Sequence, residues 1–196
     1  VKFVEVDKLD TIGFDNQVSF AYYQALQAIF EGYTLLPQTN FMEELRMIKD
    51  EKELATIRKA CSISDRAFTD VLDFIKPGQT TELQVANFLD FRMREYGASG
   101  ISFESIIASG YRSAMPHGVA SDKVIQSGET LTMDFGCYYN HYVSDMTRTI
   151  HIGETTDEER EIYDIVLRSN RALIDATKAG MTRRDYDKVA RDVIVE

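Results

Sequence analysis

Apolar residues recur along this chain with two periods, and the change between them marks out its elements. Leu54, Ile57, Cys61, Phe68, Val71, Leu72 and Ile75 fall mostly at three- and four-residue steps, a stripe that predicts one long amphipathic helix. Asp50 with Glu53 supplies its capping box, and Pro77-Gly78 ends it. A second helix starts at Thr81 with Gln84, carries Leu83, Ala86, Leu89 and Met93, and stops at Gly97. Thr156 with Glu159 opens a third, whose stripe of Ile162, Val166, Leu173 and Ala176 runs out at Gly180; Thr182 begins a fourth.

Ahead of these helices the pattern is strand, helix, strand. Thr11 to Phe14 and Tyr33 to Leu36 predict strands, and Ser19 caps a helix through Phe30 that stops at Gly32. Such a piece cannot cover both faces of a sheet, so residues 1–40 are expected to be the end of an α/β domain whose upstream strands lie outside this sequence. Pro37-Gln38-Thr39-Asn40 reads as the linker. Further on, Ile101 to Ser109 predicts a strand and Gly110 to Ala120 a loop. A shift of 102 residues pairs Ile63 with Ile165, Leu72 with Ile174, Asp73 with Asp175, Lys76 with Lys178, Gly78 with Gly180 and Thr80 with Thr182. Either helix ends share these residues for capping reasons, or a unit of two helices and a sheet is duplicated, its second copy breaking off after its second helix begins.

Between the helix pairs, Glu129 to Gly153 alternates with period two and is rich in Thr, Tyr, Val and Ile, which predicts a hairpin. A turn at Tyr139-Asn140 makes Asp134 and Asp145 a directly opposed pair, with Cβ atoms roughly 4.5–5.5 Å apart. Thr132, Asp134 and Gly136 share one face, Leu131, Met133 and Phe135 the other; Val143, Asp145, Thr147, Thr149 and His151 share a face of the returning strand, with Thr147 opposite Thr132. Opposed carboxylates repel, so either both are simply solvated or a cation or shared proton lies between them. Oxygen donors of this kind suit a hard or borderline cation such as Mn²⁺, with Thr147 hydrogen-bonding a carboxylate from behind. His141 falls in the turn and His151 six residues beyond Asp145, and both are expected to face solvent.

Composition narrows the field. A net charge of −10, from 22 basic and 32 acidic residues, argues against nucleic acid, whose phosphates require clustered Lys and Arg. The two cysteines, Cys61 and Cys137, have neither metal nor redox spacing and are expected to be buried, reduced thiols. No apolar run approaches the roughly 20 residues of a membrane span, so no membrane partner and a cytoplasmic location are expected.

Asp134-Phe135-Gly136, then Ser144-Asp145-Met146-Thr147-Arg148-Thr149, preceded by Pro116-His117, resemble the first half of the signature of the pita-bread metallopeptidases that act at Xaa-Pro bonds, the creatinase, aminopeptidase P and prolidase group. Spacings of 17 residues from His117 to Asp134 and 11 from Asp134 to Asp145 agree with it. Leu45-Arg46-Met47-Ile48-Lys49-Asp50 and Ile106-Ile107-Ala108-Ser109-Gly110 extend the likeness over most of residues 40–196, closest in character to bacterial Xaa-Pro dipeptidase.

The resemblance implies an α+β chain: the end of an α/β N-terminal domain over residues 1–40, then over 41–196 the first half of a pita-bread fold, a two-helix plus antiparallel-sheet repeat. It implies a dinuclear site for two divalent ions, usually Mn²⁺ or Co²⁺ with Zn²⁺ also compatible, and a bridging water. Asp134 matches the residue that chelates one metal, Asp145 the residue that bridges both, and His117 the pocket histidine beside the reacting amide. The family's remaining ligands, one His and two Glu, have no counterpart before Glu196, so a truncated chain with weak or absent metal binding and no activity of its own is expected. Xaa-Pro di- or oligopeptide substrates and a homodimer follow from the same resemblance. Aminopeptidase P, acting on longer peptides, and a non-catalytic binding module of the same fold are the alternatives.

Overall fold

The computed structural model describes residues 10–195, and the chain divides into two units, residues 1–55 and 56–196. In the first, β1 (Thr11–Asp15) and β2 (Thr34–Gln38) pair in parallel, joined by α1 (Phe20–Ile29), with the expected Ser19 cap accepting the Tyr22 amide at 3.2 Å. The first nine residues of the expected α/β remnant lie outside the described residues. The linker expected at Pro37–Asn40 is different: Pro37 and Gln38 complete β2, and Asn40, left-handed at φ 57°, leads straight into α2 (Phe41–Met47). A proline fits there because β2 pairs with β1 alone among the described residues, so its missing N–H breaks no second ladder.

Helix α3 (Glu51–Phe74) has the capping box read from Asp50 and Glu53, with Glu53 N to Asp50 Oδ1 at 2.8 Å and Asp50 N to Glu53 Oε2 at 2.6 Å. Helix α4 (Glu82–Glu95) follows with the Thr81/Gln84 box. The expected strand from Ile101 to Ser109 is two, β3 (Gly100–Ile101) and β4 (Ile106–Ser109), and Gly110–Ala114 forms a 3-10 turn where only a loop was expected. β5 (Glu129–Phe135), β6 (Cys137–Tyr139), β7 (Tyr142–Val143) and β8 (Met146–Ile152) complete two antiparallel three-stranded sheets, β4-β5-β8 and β3-β6-β7. The expected hairpin is therefore shared between two sheets. Helices α5 (Asp157–Ala176) and α6 (Arg183–Val195) then pack on each other, Ser169 Oγ donating to Ala190 O at 3.0 Å.

The core gathers the α3 face of Ile63, Ala67 and Val71, the α4 face of Val85, Leu89 and Met93, and the reverse side of β5. Leu131, Met133 and Phe135 are fully buried as their alternation predicts, each worth about 1.5–3 kcal/mol of burial. The α3 stripe is rotated from expectation: Ala60 and Ser64 are buried, whereas Leu72 and Cys61 are exposed, so of the two free thiols only Cys137 is interior. On α5, Ile162 and Val166 stand 56% and 57% exposed rather than buried, because α6 covers the Ser169 side of that helix instead. The helix pair does recur after 102 residues, but the cap of its second helix slips by one position. Thr81 caps α4, Thr80 Oγ1 accepts the Lys76 amide, and Thr182 Oγ1 accepts the Asp185 amide. No helix among the described residues is long and apolar enough to cross a membrane.

Candidate active site

Asp134 and Asp145 meet across a register different from the one expected. The turn is Asn140-His141, both with left-handed backbone at φ 45° and 69°, the two-residue turn whose twist matches flanking strands. Moving the turn by one residue slides the pairing by two, which keeps every side chain on its face but changes its neighbour. Asp134 thus stands opposite Thr147, and Thr132 opposite Thr149, with the two threonine hydroxyls 3.2 Å apart. One step beyond the Phe135–Met146 pair, Asp145 lies diagonal to Asp134. Histidine takes positive φ less readily than glycine, although with Asn and Asp it is enriched there among the other residues, so Asn140-His141 signals this turn more weakly than Asn-Gly would.

A local distortion replaces the ladder between Phe135 and Tyr138. The Ser144 amide donates to Cys137 O at 2.9 Å, but the Cys137 amide donates to the Ser144 hydroxyl at 3.0 Å rather than to its carbonyl. That carbonyl turns over Gly136 and accepts the Ser102 hydroxyl at 2.9 Å. A Cβ on Gly136 would lie 2.0 Å from Ser144 O, so only glycine admits the turned peptide that presents Asp145. Ser64 Oγ, 2.7 Å from Ser144 Oγ, completes the buried support. None of Ser64, Ser102 and the carbonyl orientation was foreshadowed by spacing, since the contacts join residues 42 to 80 positions apart.

Asp134 Oδ1 is buried and has no hydrogen-bond partner. Burial pushes the Asp134 carboxyl above the usual range; the Thr147 hydroxyl across the ladder opposes this, the Asp145 carboxylate adds to it, and His117 opposes it more weakly. An orphaned carboxylate oxygen beside a second carboxylate is a donor set that fits a divalent cation with oxygen preference. Asp145, Thr147 and His117 are exposed on this side. No group of three His, Cys, Asp or Glu side chains suited to a metal forms among the described residues. His141 is exposed in the turn as expected, but His151 is not solvent-facing: its side chain is 12% exposed, Nε2 is 2.8 Å from Glu154 O, and Nδ1 is buried near Glu159.

His117 is carried by a loop that the β4-β5 sheet holds in place. Val119 bridges to Ile106, which itself pairs with Asp134, so the loop passes one strand away from the carboxylate. Gly118 packs against Ala108, where a Cβ would come within 2.9 Å. Under the loop lies Glu82, fully buried and absent from the sequence reading, because a glutamate in the first turn of a helix is ordinary. Burial pushes its carboxyl up, but hydrogen bonds from Ser121 and Ser109 and the Arg112 charge outweigh this and hold it below the usual range. Because the folded value is the lower one, the stability Glu82 contributes is complete above its unfolded value, about 4.3, and drains away as pH falls through the folded value. Denaturant titrations at successive pH values are expected to show wild type losing more stability on acidification below that point than Glu82→Gln. Parallel pH profiles would remove Glu82 from the acid response.

The chain falls in a known class: the profile of metallopeptidase family M24 matches residues 55–196, and the chain belongs to that family. Its relatives include the peptidase YqhT of Bacillus subtilis, 42% identical over 97% of this chain and 54% of that protein. Among solved structures it is similar to the Xaa-Pro dipeptidase from Bacillus anthracis, at 42% identity and TM-score 0.89, covering 99% of this chain and 54% of that one. The X-Pro aminopeptidase from Thermotoga maritima matches with TM-score 0.93 at 38% identity, over 99% of this chain and 55% of that one. The chain spans about half the length of the curated relatives it matches.

Proposed function

We propose that the protein from which this chain derives is a cytoplasmic metallopeptidase that hydrolyses Xaa-Pro dipeptides, and that Asp134 and Asp145 hold divalent cations, Mn²⁺ foremost. The observation that carries this reading is the buried, unpartnered Asp134 Oδ1 beside Asp145, in a chain of family M24. When bound, a pair of divalent cations supplies a nucleophilic water and polarises the scissile carbonyl. Asp134 holds its cation from the sheet, with the Thr147 hydroxyl fixing the carboxylate's orientation; Asp145 reaches the same site from the turned peptide after Ser144. His117, on its bridged loop, hydrogen-bonds the substrate amide. Two carboxylates are too few donors for a metal pair, so residues beyond these complete it in the parent protein, and the 196-residue chain alone binds metal weakly and is inactive.

With added Mn²⁺, the full-length parent is expected to release free proline from an Xaa-Pro dipeptide, whereas this chain is not. Turnover by the isolated chain at a comparable rate would sink the incomplete-site reading. The likeness to an X-Pro aminopeptidase favours a second reading, action on longer peptides with proline second. A substrate series from two to five residues decides between them: activity confined to dipeptides supports the first, activity retained on longer peptides the second. Homodimer formation by the parent is part of the same proposal and is read by its sedimentation mass.

A further inference from the structure

Resting on that reading, we propose that Glu82 and Arg112 are positioning residues for His117: one buried carboxylate closes both ends of the histidine's loop, and the guanidinium ties its middle. Glu82 Oε1 accepts the amide and the hydroxyl of Ser109, at 2.7 and 2.9 Å, where β4 ends and the loop begins. Its Oε2 accepts the amide and hydroxyl of Ser121, at 3.2 and 2.6 Å, where the loop ends. Arg112 Nε donates to the same Oε2 at 3.0 Å while Nη2 donates to Val119 O at 2.6 Å, two residues from His117. The Val119 amide in turn donates to His117 O at 2.9 Å. Each of these five hydrogen bonds to Glu82 comes from residues 109–121.

The chemistry suits a device for fixing a conformation more than one for holding the fold. Burying a charge is expensive, and an apolar side chain of similar volume at the base of a loop commonly stabilises as well or better. A fully hydrogen-bonded buried carboxylate instead admits one arrangement of its donors. Helix α4 makes the base rigid: its Glu82 and Leu83 amides donate to Lys123 O and Ser121 O at 3.0 and 2.9 Å, so the far end of the loop is seated on the helix N-terminus itself. Lys123 Nζ extends the network from Ser109 Oγ, at 2.8 Å, to both oxygens of Glu129 at the start of β5, the strand that carries Asp134. His117 and Asp134 thus stand on one hydrogen-bonded frame. Arginine is specified at 112 because a planar guanidinium can reach a carboxylate and a carbonyl at once, which an ammonium on a flexible stem does not do at the same geometry.

A double-mutant cycle in the full-length parent tests this. Arg112→Lys keeps the charge facing Glu82 and is expected to lower kcat/KM for an Xaa-Pro dipeptide about tenfold when His117 is present, and by less than about twofold in a His117→Ala background, with Mn²⁺ content unchanged. Glu82→Gln, of the same size, is the second variant and is expected to show the same dependence on background. Equal losses in both backgrounds overturn the proposal, since a purely structural role would act whether or not the histidine is there. The imidazole resonances of His117, observed with ¹⁵N-labelled histidine, give a readout independent of catalysis: they are expected to shift in Arg112→Lys, and unchanged resonances also overturn the proposal. Absence of Xaa-Pro hydrolysis in the wild-type parent would refute the functional reading alone, and the resonances would then decide the positioning role by themselves.

Discussion

Replacing Asp145 by Asn in the full-length parent is expected to lower kcat for Xaa-Pro hydrolysis by about 10³-fold or more, roughly 4 kcal/mol of lost transition-state stabilisation. The side chain is exposed and its neighbour sets the backbone, so the substitution leaves the turned Ser144 peptide and its Ser102 bond in place. What it removes is one negative charge beside Asp134. In chelator, the same variant is expected to gain a few tenths of a kcal/mol of stability, because part of what pushes the Asp134 carboxyl up is repulsion from Asp145. A scaffold residue would lose stability and activity together, so opposite signs mark a ligand. Activity within tenfold of wild type would take Asp145 out of the site.

Gly136→Ala is expected to destabilise the 56–196 unit by about 3 kcal/mol or more in a denaturant titration. The new Cβ would lie 2.0 Å from Ser144 O and 2.5 Å from Ser102 Oγ, inside any tolerable contact, and the nearer atom is backbone. Relief requires the Ser144 carbonyl to swing away, which breaks its bond to Ser102 and turns Asp145 with it. The damage comes from close approach and not from backbone angle, as Gly136 is not among the glycines at positive φ. A control at Gly128, where φ is +83° and nothing lies within 4 Å, separates the two causes: Gly128→Ala is expected to cost about 1 kcal/mol through backbone strain alone. Equal costs at the two positions would mean that the contact at Gly136 relaxes freely.

How much of this was legible beforehand follows from the range of the interactions involved. Three capping boxes, the long helices and the burial of Leu131, Met133 and Phe135 were readable because a cap spans three residues and a strand alternates every two. For the same reason the placing of Asp134 and Asp145 on one side survived a wrong turn: a one-residue error there moves the register by two and preserves the face. The position of the turn did not survive, since Asn140 can take either central place of a two-residue turn and His141 is a weaker signal of positive φ than glycine.

Residue type and local period were enough to name Asp134, Asp145 and His117 as candidates and to put the two aspartates on one face. How the candidates stand to one another came from the fold. It split one hairpin between two sheets at Gly136, set Thr147 rather than Asp145 opposite Asp134, enclosed His151 and left Cys61 and, on α5, Ile162 and Val166 exposed. It also drew Glu82 beneath a loop that begins 27 residues away. Each of these depends on which distant backbone arrives alongside, and a carbonyl from Ser144 or an amide from Ser121 carries the same chemical signature as any other until the fold chooses its partner.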